Sequence, residues 1–367
     1  MDNDEWFFNS FKRYHELQMF DFPKPAKEID ITSINSLCVA LEKDITNRNE
    51  ILIFSLPTTL QTKSKNTGLK IDRHLSFDHG YFTESPLVQM KCIANEEKLI
   101  ISEKNGLALF DMSCKESDLI KKISDIPTLV NDTLIAVNCI NNLIVLCGSE
   151  NKKEIVNYDS LTTTMLIEEK DKNYLKVPLF SSSNTVSFGN TFYGNVSSYD
   201  IRTGNSVGFI IIPNTIQASN TVSHWIFNST FEFRPEYSSE SNLLYLFSTN
   251  GDFLIYDSRN FSQPIQYLKY PIAYENITGA VSDIKINVCP DDFNKFTVCG
   301  FDENVYVYES KNNKVSVIFT HDGHPYSDND FEYGVKTVCS LWLPFISSNT
   351  VVSCGSNSSV QCWQYAL

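Results

Sequence analysis

The chain has 367 residues, 42% hydrophobic and 13% aromatic, with 44 acidic against 30 basic residues and a formal charge of −14. This is globular composition with ample material for a core, and its acidic balance argues against general nucleic-acid binding, because phosphate is repelled at long range. Nowhere do about 18 apolar residues run together, so no membrane-spanning helix is expected; the opening MDNDEWFFNSF also lacks the apolar stretch of a signal peptide.

Residues 1–18 read as an amphipathic helix. Asn3 or Asp4 can cap it, and Glu5 suits its first turn. Phe7, Phe11 and Tyr14 fall at i, i+4 and i+7, an apolar stripe flanked by Trp6 and Phe8. The plainer reading packs the stripe against the rest of the fold. The sharper one makes Trp6 and Phe8 partner-docking anchors, since aromatic side chains dominate interface hot spots. The following LQMFDFP carries Leu17, Met19, Phe20 and Phe22 and stops at Pro23, so residues 19–23 are expected to form a strand.

A weak first repeat, SLCVALEKDITNRNEILIFSLP, closes on the aromatic Phe54. Next comes the most basic stretch, with Lys63, Lys65, Lys70 and Arg73, which reads as a solvated loop. In DRHLSFDHG, strand alternation puts Asp72, His74, Ser76 and Asp78 on one face. A polar outer face accounts for them, and no catalytic site is assigned there. Six further repeats each join an apolar, β-branched run to a polar turn and a second run ending on an aromatic. Their closing residues are Phe110, Tyr158, Tyr199, Tyr256, Tyr308 and Trp363, roughly 50 residues apart, slightly longer than the ~40–45 of WD repeats. Between Tyr256 and Tyr308, PIQYLKY and VSDIKINVCP precede KFTVCGF, giving four short strands per repeat. The expected fold is all-β, a seven-bladed WD-repeat β-propeller spanning residues 19–367.

The final repeat supplies three strands before Leu367, which would leave a bare edge open to aggregation. Residues 19–23 are therefore expected to pair with SVQCWQY and complete that blade, giving Met19, Phe20 and Phe22 structural roles. Two long segments, 224–242 and 321–334, read as loops able to bind. The second, HDGHPYSDNDFEYG, is acidic and aromatic, and Tyr326, Asp328, Asp330, Phe331 and Tyr333 are its candidate docking residues. No repeat ends in Trp-Asp; Tyr-Asp replaces it in three. Gly323-His324 is the one Gly-His pair of the kind expected ahead of an inner strand, so His324, Ser353 and Trp363 are expected to form a hydrogen-bonded chain. The other blades are expected to hold by packing alone.

Chemistry is poorly represented. The ten cysteines sit singly in apolar runs without C-x-x-C spacing, so they read as reduced core thiols, and the expected compartment is the cytoplasm, shared with the nucleus. His321 and His324 have H-x-x-H spacing, but no helix is expected there and a structural Gly-His explains His324. No catalytic, metal or cofactor residues are assigned, and nucleophile-elbow, P-loop and dinucleotide motifs are lacking. The expected role is a non-enzymatic adaptor.

Several stretches carry a resemblance to one family: DEWFFNSFKRYHELQMFDF, NEILIFSLP, GLKIDRHLSFDHGYF, GFDENVYVYES, IFTHDGH followed by LWLP, and SNSSVQCWQY. Together they resemble the WD repeat-containing protein 73 family nearly end to end, with residues 115–250 matching only as generic blades. The resemblance implies a cytoplasmic, non-enzymatic protein that assists maturation of the RNA-cleaving module of the Integrator complex with a HEAT-repeat partner. It also implies links to microtubules and spindle poles, although acidic tubulin would repel this chain unless Lys63, Lys65 and Lys70 made the contact.

Overall fold

The computed structural model describes residues 3–31, 36–57, 75–93, 96–113, 119–130, 133–148, 152–168, 176–212, 224–233, 242–271, 283–326, 334–343 and 349–366. Helix α1 (Asn3–Arg13) leads directly into β1 (Tyr14–Asp21). The helix thus ends five residues short of the expected boundary at 18, and the strand begins five residues ahead of 19. The reason is the pairing partner: Tyr14 already faces Tyr365 across the ladder, so extended backbone is favoured from that point.

Among the described residues, twenty-eight strands form seven four-stranded antiparallel sheets, the blades of a seven-bladed β-propeller. One sheet contains β2 (Ala26–Ile31), β3 (Ser36–Leu41), β4 (Glu50–Ser55) and β5 (Ser76–Phe82). The next has β6 (Leu87–Ile93), β7 (Lys98–Glu103), β8 (Gly106–Asp111) and β9 (Lys121–Asp125). It is followed by β10 (Leu134–Asn138), β11 (Leu143–Cys147), β12 (Lys152–Asn157) and β13 (Thr162–Glu168). Then come β14 (Lys176–Ser182), β15 (Thr185–Asn190), β16 (Val196–Asp200) and β17 (Ser206–Ile210). The fifth group is β18 (Trp225–Ser229), β19 (Leu243–Ser248), β20 (Asp252–Asp257) and β21 (Gln266–Lys269), with a helical turn α2 (Thr230–Phe233) after β18. The sixth is β22 (Lys285–Val288), β23 (Lys295–Cys299), β24 (Val305–Lys311) and β25 (Lys314–His321). The last three strands, β26 (Thr337–Trp342), β27 (Thr350–Gly355) and β28 (Ser359–Tyr365), join β1 in the order β1-β28-β27-β26.

The expectation that the N-terminal strand completes the last blade is borne out, in a register running from Tyr14 opposite Tyr365 to Asp21 opposite Ser359. The segment 224–242 is a correction. Its first residues are β18, with Trp225 and Phe227 buried, because the aromatics alternate at strand period and find a core; residues 234–241 lie outside the described ones.

The chain divides into two compact units, one of residues 1–42, 50–80 and 273–367, the other of 43–49 and 81–272. In the first, Leu37, Val39 and Leu52 pack with Cys354, Val360 and Cys362, while Val305, Val307 and Phe319 pack with Trp342, Val351 and Trp363. In the second, cores of the same kind fill the spaces between successive sheets, as where Val145, Cys147 and Ile155 meet Phe180, Val186 and Phe188. The strands supplying these residues are buried on both faces, which explains their nearly continuous apolar runs. The nine described cysteines are all free thiols, and burial pushes those of Cys299 and Cys362 up to about 12.

Packing is not the only tie in blades lacking a histidine, contrary to expectation. Ser102 Oγ donates to the Thr133 carbonyl at 2.7 Å, and in the blade β14–β17 the hydroxyls of Ser187 and Ser198 meet at 2.7 Å. Small hydroxyl residues do this work because they hydrogen-bond without the volume of an imidazole.

Candidate partner-docking site

The segment after β25 is where the sequence places the docking loop, and the structure shows how its root is held. Asp322 is the anchor. Its Oδ1 accepts from the Trp6 indole at 2.8 Å and from Arg13 Nη1 at 2.9 Å, Arg13 Nη1 also reaches Oδ2 at 3.0 Å, and Arg13 Nη2 donates to the Thr320 carbonyl. The guanidinium lies 5.4 Å from the Phe319 ring centroid, adding a cation–π contact. Trp6 is only 3% exposed, so its ring faces the fold, whereas Phe8 is 68% exposed. Burial explains the indole's choice of partner: a donor removed from water needs an acceptor, and a carboxylate is a strong one.

One residue further along, the Tyr14 hydroxyl meets His321 Nδ1 at 2.8 Å. Burial raises the Tyr14 pKa well above the ordinary phenol value, and burial, then the neighbouring His324 and Arg13, hold His321 well below the ordinary imidazole value. Both groups are therefore neutral near pH 7 and joined by a single hydrogen bond. The His321 ring stacks on Trp363 with centroids 4.5 Å apart and planes 13° apart. Gly323 is required by close approach: a Cβ there would fall 2.3 Å from Gln361 Oε1 and 2.9 Å from His321 Cε1.

His324, Ser353 and Trp363 come together in one directional chain. Trp363 Nε1, which can only donate, gives its proton to Ser353 Oγ at 2.9 Å. Ser353 lies 2.8 Å from His324 Nε2, and His324 Nδ1 lies 2.7 Å from Ser359 Oγ. Ser359 in turn donates to Asn357 Oδ1 at 2.6 Å, so it accepts from His324. The ring therefore carries its proton on Nδ1, and Ser353 donates to Nε2. Asn357 Nδ2 returns to the His324 carbonyl at 2.9 Å. Burial lowers the His324 pKa to about 3, which keeps the ring neutral. With both His324 nitrogens committed to serines and the two rings 5.3 Å apart edge-to-face, the H-x-x-H spacing serves hydrogen bonding.

This network frames the docking segment. A 3-10 turn spans His324–Tyr326, and the chain is described again from Gly334, where Lys336 N donates to Ser356 Oγ at 3.0 Å and its Nζ lies 2.7 Å from Asp283. Of the five candidate residues there, Tyr326 ends the turn, while Asp328, Asp330, Phe331 and Tyr333 lie outside the described residues. On the closing strand, Met19 is 39% exposed and Phe20 half-buried; Phe22 is buried just beyond it and stacks on Phe54 at 5.1 Å. Lys63, Lys65, Lys70, Asp72, Arg73 and His74 lie outside the described residues, and Asp78 accepts from Ser55 at 2.5 Å.

Sequence reasoning overlooked Asp322, Arg13 and the Tyr14–His321 pair. Their partners lie more than 300 positions apart, so no local spacing marks them. The available signal was an arginine within the predicted helix and an acid beside the Gly-His pair.

Seven four-stranded sheets, an N-terminal strand completing the last one, and a His-Ser-Trp chain within it define a WD-repeat β-propeller. No family model matches the chain. It is similar to the protein named Integrator complex assembly factor WDR73 in Danio rerio, 24% identical over 99% of this chain and 96% of the relative. The proteins of that name in Mus musculus (22% identical, 99% and 97% covered) and Xenopus laevis (24%, 97% and 96%) match over the same extent. The chain thus resembles the WD repeat-containing protein 73 family over 97–99% of its length.

Proposed function

We propose that this protein is a non-enzymatic scaffold that docks protein partners during assembly of the Integrator complex. The observation that carries this reading is end-to-end similarity to proteins named as Integrator assembly factors, joined to a propeller fold. Buried histidines committed to hydrogen bonds and thiols held protonated by burial support an adaptor over a catalyst. The finer reading is a cytoplasmic role with a HEAT-repeat partner in maturing the RNA-cleaving module. Partner capture is assigned to Tyr326, Asp328, Asp330, Phe331 and Tyr333, acids steering a basic surface and aromatics anchoring it, with Phe8 as a second contact.

Affinity purification of the tagged chain from native extract, followed by mass spectrometry, tests both levels. Integrator subunits are expected with the wild-type chain and are expected to disappear when residues 325–333 become a short Gly-Ser turn, with Tm retained. Recovery of tubulin in place of Integrator subunits would overturn the function. Undiminished Integrator capture by the loop variant would overturn the site alone.

A further inference from the structure

The seven outermost strands differ in one respect. β1, β5, β9, β13, β21 and β25 each carry charge, for example Asp21, Asp78, Lys121, Glu168, Lys269 and Lys314. β17, with the sequence SVGFI, carries none. Charge along an outer strand discourages addition of another strand, because pairing would desolvate it. β17 lacks that guard. It pairs with β16 on one side, and no described strand pairs with the other.

The two faces of this strand are unlike. On one, Ile210 is buried and the Phe261 ring lies over Gly208 so closely that a Cβ there would fall 2.0 Å from Phe261 Cδ2. On the other, Val207 and Phe209, with Ile211 just past the strand, are 50%, 53% and 66% exposed. An unguarded backbone edge beside an open apolar face is a template for strand addition.

We propose that the outer edge of β17 receives an extended, uncharged, β-branched segment of a partner protein as a fifth strand. The backbone edge requires an extended chain, and a charge on the incoming segment would be desolvated beside Val207 and Phe209 with no counter-charge on β17. A second copy of this chain fits poorly. Five residues span only about 17 Å, and so narrow a contact between rigid bodies falls well short of the roughly 800 Å² per partner of a stable complex. Two chains each carrying −14 also repel one another. A flexible segment needs only the strand-length contact. The inference concerns residues 206–211 and does not depend on the Integrator reading.

The test uses the full chain and a fluorescent, capped Thr-Val-Thr-Val-Thr peptide carrying a neutral ethylene-glycol tail, read by anisotropy at physiological salt. Binding is expected, with slower amide exchange over residues 206–210. Phe209→Lys, which installs the guard the other edges carry, is expected to weaken binding at least tenfold at unchanged Tm. If that variant unfolds, Val207→Glu takes its place with the same expectation. A peptide N-methylated at alternate backbone nitrogens is expected to bind at least tenfold more weakly, since strand addition needs those amides. No binding, equal binding of the methylated peptide, or equal binding by a folded guard variant would overturn the proposal. So would a concentration-dependent dimer, seen by sedimentation, that Phe209→Lys abolishes.

Discussion

The blade built from both chain ends and the blade β14–β17 solve the same problem with different reach. In the first, Trp363, Ser353, His324 and Ser359 form a buried chain, and Tyr14, Arg13 and Trp6 from the N-terminus fasten to His321 and Asp322. In the second, the hydroxyls of Ser181, Ser187 and Ser198 form a ladder at 3.1 and 2.7 Å, using residues less than 20 positions apart. The outer strand of the first has eight residues and carries charge; that of the second has five and carries none. The long-range network makes one blade depend on both termini. The ladder draws on one blade alone, and the rim of that blade is uncharged.

Removing residues 1–21 should break this contrast most severely. It strips β28 of its outer partner strand and Asp322 of both N-terminal donors, so Tm should fall by more than about 10 °C, consistent with losing several kcal/mol. Amide exchange should become fast over Ser359–Tyr365 while β14–β17 stay protected. Equal protection of both blades would show that the closing strand is dispensable. Trp363→Ala removes the stacked, donating centre of the network and should cost about 3–5 kcal/mol in denaturant unfolding.

Acid should separate the blades next. The folded pKa values of His321 and His324 lie below the unfolded value of about 6.5, with His324 near 3. The unfolded chain therefore binds more protons in that window. Stability should be intact above about pH 6.5 and decline as pH falls toward 3, by up to about 1.4 kcal/mol per pH unit for each ring. His321→Gln, which can still hydrogen-bond to Tyr14 but does not titrate, should flatten the slope of Tm against pH. An unchanged slope would remove His321 from the account. The smallest effect should be Ser187→Ala, at about 1 kcal/mol for one hydroxyl in a ladder of three.

Much of this contrast was legible in the residues. Apolar, β-branched runs split by polar turns and closing aromatics such as Tyr256 and Tyr308 marked the blades, because each repeat is read from a short stretch of chain. The single Gly-His pair pointed to His324, and the three-strand final repeat pointed to a borrowed strand. Other parts were hidden. Trp6 was open to two readings, packing against the fold or docking a partner, because helical spacing shows which residues share a stripe and says nothing about an acceptor 316 positions away. The strand Trp225–Ser229 read as loop because its aromatics alternate over only five residues between polar stretches. The serine ladder was missed because isolated serines look the same in turns and in strand interiors.

By itself, the order of residues determined the number of sheets, the strand sequence within each and the terminal pairing, since all three follow from the spacing of apolar side chains and turns along a short stretch of chain. Only the tertiary structure decided which groups meet across distant parts of the chain: Arg13 with Asp322, Tyr14 with His321, and Phe261 over Gly208. A donor withdrawn from water must find an acceptor in space, and distance along the chain leaves no trace of where that acceptor lies.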